Sequence, residues 1–208
     1  MPIISVDART TALTSGAASL TKAHTCAANA SLLIASFVFG QSATETNFAV
    51  TYNGVAMVEA YHSAGEFWDT YIYYLLAPAS GAHNIAATWT NSNRCYSQNI
   101  SLIGTDKVSV SPIRDTDGGE FLSGDPQTKT LTSTALDYVF SACAGQAVCD
   151  SSAPLTDFGD QNDGAGYSTG ADGAAAGLTV DVTWHNTGSN RFGFGAVTIK
   201  PAGGGQVI

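Results

Sequence analysis

Apolar and polar residues alternate with a period of two along much of this chain. The clearest run spans residues 178–185, whose apolar side comprises Leu178, Val180, Val182 and Trp184. Successive side chains of an extended strand point to opposite faces, so this pattern predicts a half-buried β-strand.

Residues 48–52 alternate in the same way and are followed by Asn53-Gly54 and a second apolar segment. Both turn residues accept the positive φ of a type I′ turn. The sequence therefore predicts a β-hairpin here, with its register set by the turn.

Further apolar segments are too short for helices. Residues 32–39 are almost continuously apolar, which predicts a strand covered on both faces. Other strands are predicted at 67–76, 85–89, 96–103, 136–140 and 191–199. Their hairpin-like spacing predicts an all-β fold, a two-sheet antiparallel β-sandwich. One domain is expected over 1–208, with an N-terminal extension (1–20) and a flexible C-terminal tail (203–208).

Two segments look different from the strands. Pro112–Pro126 is turn-rich and acidic, and Ser151–Gly177 is rich in Gly and Asp. Both are predicted to be loops, and loops of that length are either functional or mobile. They are the first places to seek partner contacts.

Composition limits the possible partners. Charged residues make up 12% of the chain and the formal net charge is −9. Such a chain is repelled by phosphate backbones and anionic lipid, so no nucleic-acid partner is expected. No apolar run reaches the length that spans a bilayer, and Met1–Ala12 lacks the features of a secretory signal. Neither membrane insertion nor signal-directed export is therefore expected.

The four cysteines do not define a metal site, because zinc sites usually contain tighter pairs and histidines at ligand spacing. Structural or free thiols are the favoured interpretation, and a Cys143–Cys149 disulfide is the alternative. The remaining positions are Cys26 and Cys95.

Catalytic motifs are absent from the sequence. There is no G-x-S-x-G elbow, and His185, on the polar side of its strand, is predicted to face solvent without a catalytic partner. Three nearby carboxylates could flank a glycosidase cleft: Glu59, Glu66 and Asp69. A solvated turn is the favoured interpretation, and the chain is predicted not to be an enzyme.

Two binding hypotheses remain. A calcium ion could be bound by oxygen ligands of the Gly-rich segment: Asp157, Asp160, Asn162, Asp163 and Asp172. The segment lacks the EF-hand spacing, so a plain acidic surface is favoured and no cofactor is expected. A sugar-stacking platform could be formed by Trp68 and Tyr74 on one strand face, or by Tyr71 and Tyr73 on the other. A role in the core is favoured for these rings.

Four segments carry a resemblance to a known family: ASLLIASF from Ala30, VTYNGVAM from Val50, YYLLAPASG from Tyr73 and FGAVTIKPA from Phe194. They resemble a jelly-roll, concanavalin-like β-sandwich module of bacterial and bacteriophage proteins. The resemblance spans about Thr21 to Ala202 and implies a fold, with no catalytic residues to transfer. Ser31 departs from the pattern, where an Arg is expected.

The resemblance implies two contexts. The first is a non-enzymatic structural protein on a bacteriophage virion surface, as a capsid decoration, spike or tail-fibre subunit. Its expected partners are copies of itself and other virion proteins such as the major capsid protein. The alternative is an extracellular, lectin-like module that binds carbohydrate, including a host-surface glycan.

Overall fold

The computed structural model describes residues 3–40, 46–107, 111–164, 166–186 and 191–203. These residues contain fifteen β-strands and no helix, and therefore no helix that could cross a membrane. The strands are β1 (Ser5–Cys26), β2 (Leu32–Gly40), β3 (Ala49–Tyr52), β4 (Val55–Ala56), β5 (Val58–Ser63), β6 (Trp68–Leu76), β7 (Gly81–Ile103), β8 (Ile113–Phe121), β9 (Gln127–Thr132), β10 (Tyr138–Gly145), β11 (Cys149–Ser151), β12 (Thr156–Asn162), β13 (Tyr167–Ala174), β14 (Thr179–Asn186) and β15 (Phe192–Ile199).

The described strands form three antiparallel sheets. The first has the order β4-β3-β7-β2-β6-β5, with β1 also paired to β7. The second has the order β12-β13-β10-β15-β8, and the third is β11-β14-β9. The predicted all-β antiparallel sandwich is confirmed, with three sheets where two were expected. The jelly-roll connectivity is not confirmed by these strand orders.

The central core lies between the first and second sheets. Leu32, Ile34, Ile72 and Ile100 from one sheet pack with Phe140 and other apolar residues of the second. Beside this core, glycines of β15 alternate with large apolar residues. A Cβ atom at Gly193 would lie 2.7 Å from Trp68 Cβ, which is closer than real Cβ contacts come. Glycine therefore allows β15 to approach β6 closely.

A second core covers the other face of β2 and β6. β1 and β7 are 22 and 23 residues long. Along β7, β3 pairs only with residues 85–88, in the first part of the strand. Phe48, just before β3, contacts Phe37, Tyr71 and Tyr73 of β2 and β6, to which β3 does not pair. The first sheet therefore folds over itself, and its outer part forms an additional layer.

The third core separates the second and third sheets. Val180, Val182 and Trp184 of β14 pack against the face of the second sheet that carries Phe192 and Phe194. The Trp184 indole donates to Ser141 Oγ at 2.9 Å, so its only polar atom is satisfied in the core. The described chain is thus a stack of four β-layers with three apolar interfaces.

Several sequence predictions need correction. Residues 5–20, expected to be an extension, form most of β1 and pair with β7. The predicted loop Pro112–Pro126 contains β8, and the predicted loop Ser151–Gly177 contains β12 and β13. The predicted tail, residues 203–208, lies outside the described residues except for Gly203.

Candidate functional site

The four aromatic residues considered for sugar stacking are buried. Trp68 and Tyr74 belong to the central core, whereas Tyr71 and Tyr73 belong to the core formed by the folded first sheet. The predicted division between two strand faces is confirmed, as is the role in the core. Both faces of β6 are covered, so these side chains offer no platform to a ligand.

The three carboxylates considered for glycosidase chemistry do not share a site. Glu59 accepts a hydrogen bond from Tyr73 Oη at 3.0 Å, and buried Asp69 accepts one from Gly65 N at 2.7 Å. Glu66 has an exposed side chain, and its backbone N–H donates to Glu120. Glu120 also accepts from Phe67 N and Trp68 N, and so fixes the turn that starts β6.

The five residues considered for calcium do not form one ligand set. Asp172 receives two hydrogen bonds of 2.6 Å from Arg9, and Asp163 receives one of 2.6 Å from Arg94. Both arginines lie on strands of the first sheet, so these pairs connect it to the second. Within the described ranges, no group of three or more His, Cys, Asp or Glu side chains is arranged to hold a metal.

The other three residues considered for calcium accept hydrogen bonds from residues nearby in the chain. Asp157 accepts from the Ser151 backbone, Asp160 accepts from Thr169 Oγ1 at 3.1 Å, and Asn162 Oδ1 accepts from Gly164 N at 2.7 Å. These bonds hold β12 and its neighbours in place.

All four cysteines are buried free thiols in the structure. Burial raises the pKa of Cys143 well above its ordinary value, and neighbouring Cys149 raises it further. Both features disfavour the thiolate, which is the reactive and metal-binding form.

The outermost layer presents a face of small, uncharged side chains. It is formed by Ser19, Thr21, Ala23 and Thr25 of β1, Ala82, Asn84, Ala86 and Thr88 of β7, and Ala49, Thr51 and Ala56 of β3 and β4. Directly paired residues share a sheet face, and one cross-strand row runs Thr21, Ala86, Thr51, Ala56. We call this surface the small-residue face. A shallow cleft of about 380 Å³ lies over part of it, at the β3–β4 turn.

His185 has partners that the sequence did not reveal. It lies on the outer side of β14, with 37% of its side chain exposed, between Ser152 and Asp125. These residues are 33 and 60 positions away along the chain, and no motif links them. Ser152 follows β11 and Asp125 precedes β9. The pairing of both strands with β14 brings these two residues next to His185.

Comparisons with protein-family profiles, curated proteins and solved structures find no match for this chain. The resemblance to a bacteriophage β-sandwich module therefore stays a prediction.

Proposed function

We propose that this chain is a structural subunit that self-associates through the small-residue face, within a homo-oligomeric assembly on the surface of a bacteriophage virion. The observation that carries the proposal is the contrast between that uncharged face and a chain of net charge −9. Two copies of an acidic protein repel one another, and this face lets them meet without opposing carboxylates.

The side chains on the face suit packing between flat surfaces. Ala, Ser and Thr leave little relief above the backbone, and short side chains lose little rotamer entropy when they become buried. A second copy presents the same flat surface, so a two-fold symmetric contact needs no separate complementary site.

The size of the face limits the expected affinity. The face comprises about seven residues each of β1 and β7 and the short strands β3 and β4. It covers roughly 300 Å², given strand spacings of about 4.8 Å and a rise of about 3.3 Å per residue. Stable interfaces bury about 800 Å² per partner, so this contact alone is weak. Many such contacts in a symmetric array would add up, which fits the decoration of a particle.

Sedimentation velocity across a concentration series tests self-association. We expect monomers at low micromolar concentration and larger species from about 100 µM, as a small interface implies. Thr21→Glu places a carboxylate on the face and should abolish the larger species. Thr179→Glu, the same change on the exposed side of β14, is the matched control and should leave them unchanged. A wild-type protein that stays monomeric throughout would overturn the proposal.

Mass spectrometry of purified phage particles tests the location, because a decoration or fibre subunit is present in a fixed ratio to the major capsid protein. Absence from the particles would refute the virion role even if the protein self-associates. The carbohydrate-binding alternative would require side chains other than the four buried aromatic residues.

A further inference from the structure

A serine, a histidine and an aspartate meet on the outer side of the third sheet. Ser152 Oγ lies 3.1 Å from His185 Nε2, and Asp125 Oδ1 lies 3.4 Å from His185 Nδ1. The two ring nitrogens thus face a hydroxyl and a carboxylate, in the arrangement of a nucleophilic triad. We propose that Ser152 is an activated nucleophile for acyl transfer from carboxylic esters, with His185 as its general base and Asp125 as a positioning residue.

Backbone hydrogen bonds from β14 hold this arrangement. Ser152 N donates to Thr183 O at 3.0 Å, and Asn186 N donates to Asp125 Oδ1 at 3.1 Å. Both anchors lie within two residues of His185. The strand that carries the imidazole therefore also positions the serine and the aspartate.

The carboxylate determines which ring nitrogen carries the proton. Asp125 next to Nδ1 favours the Nδ1–H form, which leaves the Nε2 lone pair directed at the Ser152 hydroxyl. The Ser152 O–H can then donate to Nε2 across 3.1 Å. The 3.4 Å separation on the other side of the ring is longer than an ideal hydrogen bond, and such contacts commonly tighten when substrate binds.

The proposed reaction balances without a metal or redox partner. Ser152 Oγ forms a bond to the ester carbonyl carbon while its proton moves to His185 Nε2. The bond from carbon to the leaving oxygen breaks, and His185 returns the proton to that oxygen as the alcohol departs. Water then attacks the acyl-serine with the same base, which releases the carboxylic acid and restores the Ser152 hydroxyl.

The open position of the site suits small esters and predicts slow turnover. The side chains of His185 and Asp125 are each 37% exposed, and Ser152 is half-buried. Water therefore screens the charge that develops in the transition state, whereas efficient enzymes exclude it. Covalent capture of the nucleophile is consequently a sharper test than turnover.

The test is labelling of the intact protein with a fluorophosphonate, a reagent that phosphonylates activated serines. Intact-mass spectrometry should show one adduct, and peptide mapping should place it on Ser152. Ser152→Ala should abolish it. Ser151→Ala removes a neighbouring hydroxyl that donates to Asp157 instead, and as the matched control it should leave the labelling rate unchanged.

Two further variants test the assigned roles. His185→Gln should slow labelling by about 10²–10⁴-fold, the usual contribution of a general base. Asp125→Asn should also slow it without changing the thermal unfolding midpoint, because an amide oxygen can still accept from Asn186 N. No adduct on the wild-type protein, an adduct elsewhere, or equal rates in wild type and His185→Gln would overturn the proposal. These outcomes are independent of self-association, which involves the opposite end of the layer stack.

Discussion

His24 lies on β1 with 1% of its surface exposed, among polar side chains of the folded first sheet. Its Nε2 is 3.1 Å from Ser101 Oγ, and its Nδ1 is 2.8 Å from Thr10 Oγ1. Ser101 donates its own proton to Asp7 Oδ2 at 2.8 Å. We therefore assign the proton of the neutral ring to Nε2, with Thr10 donating to Nδ1. Both nitrogens are satisfied in the uncharged form.

Burial lowers the pKa of His24 to about 4, and the Asp7 carboxylate opposes this only in part. In the unfolded chain the pKa of histidine is about 6.5. Between these values the unfolded state binds a proton that the folded state does not, so stability increases with pH. The gap corresponds to about 3 kcal/mol, which is fully present above pH 6.5 and is lost as the pH falls towards 4.

The assay is urea unfolding at several pH values between about 4 and 7.5, on the wild type and on His24→Gln. The variant should be less stable at pH 7, because it loses buried hydrogen bonds, and its disadvantage should shrink by about 2–3 kcal/mol at pH 4. Carboxylates titrate in both proteins and cancel in the difference. His62→Gln, at an exposed histidine, is the matched control. Parallel stability curves for wild type and His24→Gln would contradict the lowered pKa of His24.

Three other predictions concern packing, turn geometry and thiol access. Trp184→Ala should lower the free energy of unfolding, measured in urea, by about 3–5 kcal/mol, because it leaves a cavity in the third core and removes the donor to Ser141 Oγ. Gly54→Ala should lower it by about 1 kcal/mol and reduce the melting temperature, because Gly54 has φ +76°; unchanged melting would contradict the turn assignment. Ellman's reagent should react with the four thiols only after unfolding, since all are buried; rapid reaction of the native protein would contradict their burial.

Local sequence patterns were sufficient to predict a strand with one apolar face and a turn that requires residues with positive φ. The period-two run predicted β14, although Leu178 lies outside that strand and is 81% exposed. The hairpin at Asn53-Gly54 was predicted from its turn residues, which have φ values of 50° and 76° as a type I′ turn requires.

The missed strands depend on distant partners. β1 consists largely of small and polar residues, so no apolar stripe marks its first part. Its partners on β7 lie between 55 positions (Cys26 with Gly81) and 98 positions (Ser5 with Ile103) away along the chain. β13 contains glycines that suggest a loop, yet a Cβ at Gly170 would lie 2.6 Å from the Phe158 ring. Gly170 therefore makes room for the Phe158 ring on the neighbouring strand. A single sequence does not reveal this packing role.

The layer stack explains why the candidate sites could not be predicted and why they lie where they do. Its apolar interfaces bury the aromatic residues that the sequence offers for sugar stacking, including Trp68 and Tyr73. Contacts with other molecules therefore involve the outer surfaces. The surfaces at the two ends of the stack carry different side chains. One end has the uncharged small-residue face, whereas the other has carboxylates and His185 on the third sheet. A charge added at Thr21 should consequently affect assembly but not labelling at Ser152, and His185→Gln should do the reverse. If either change altered both properties, the two ends of the stack could not be the independent sites that we propose.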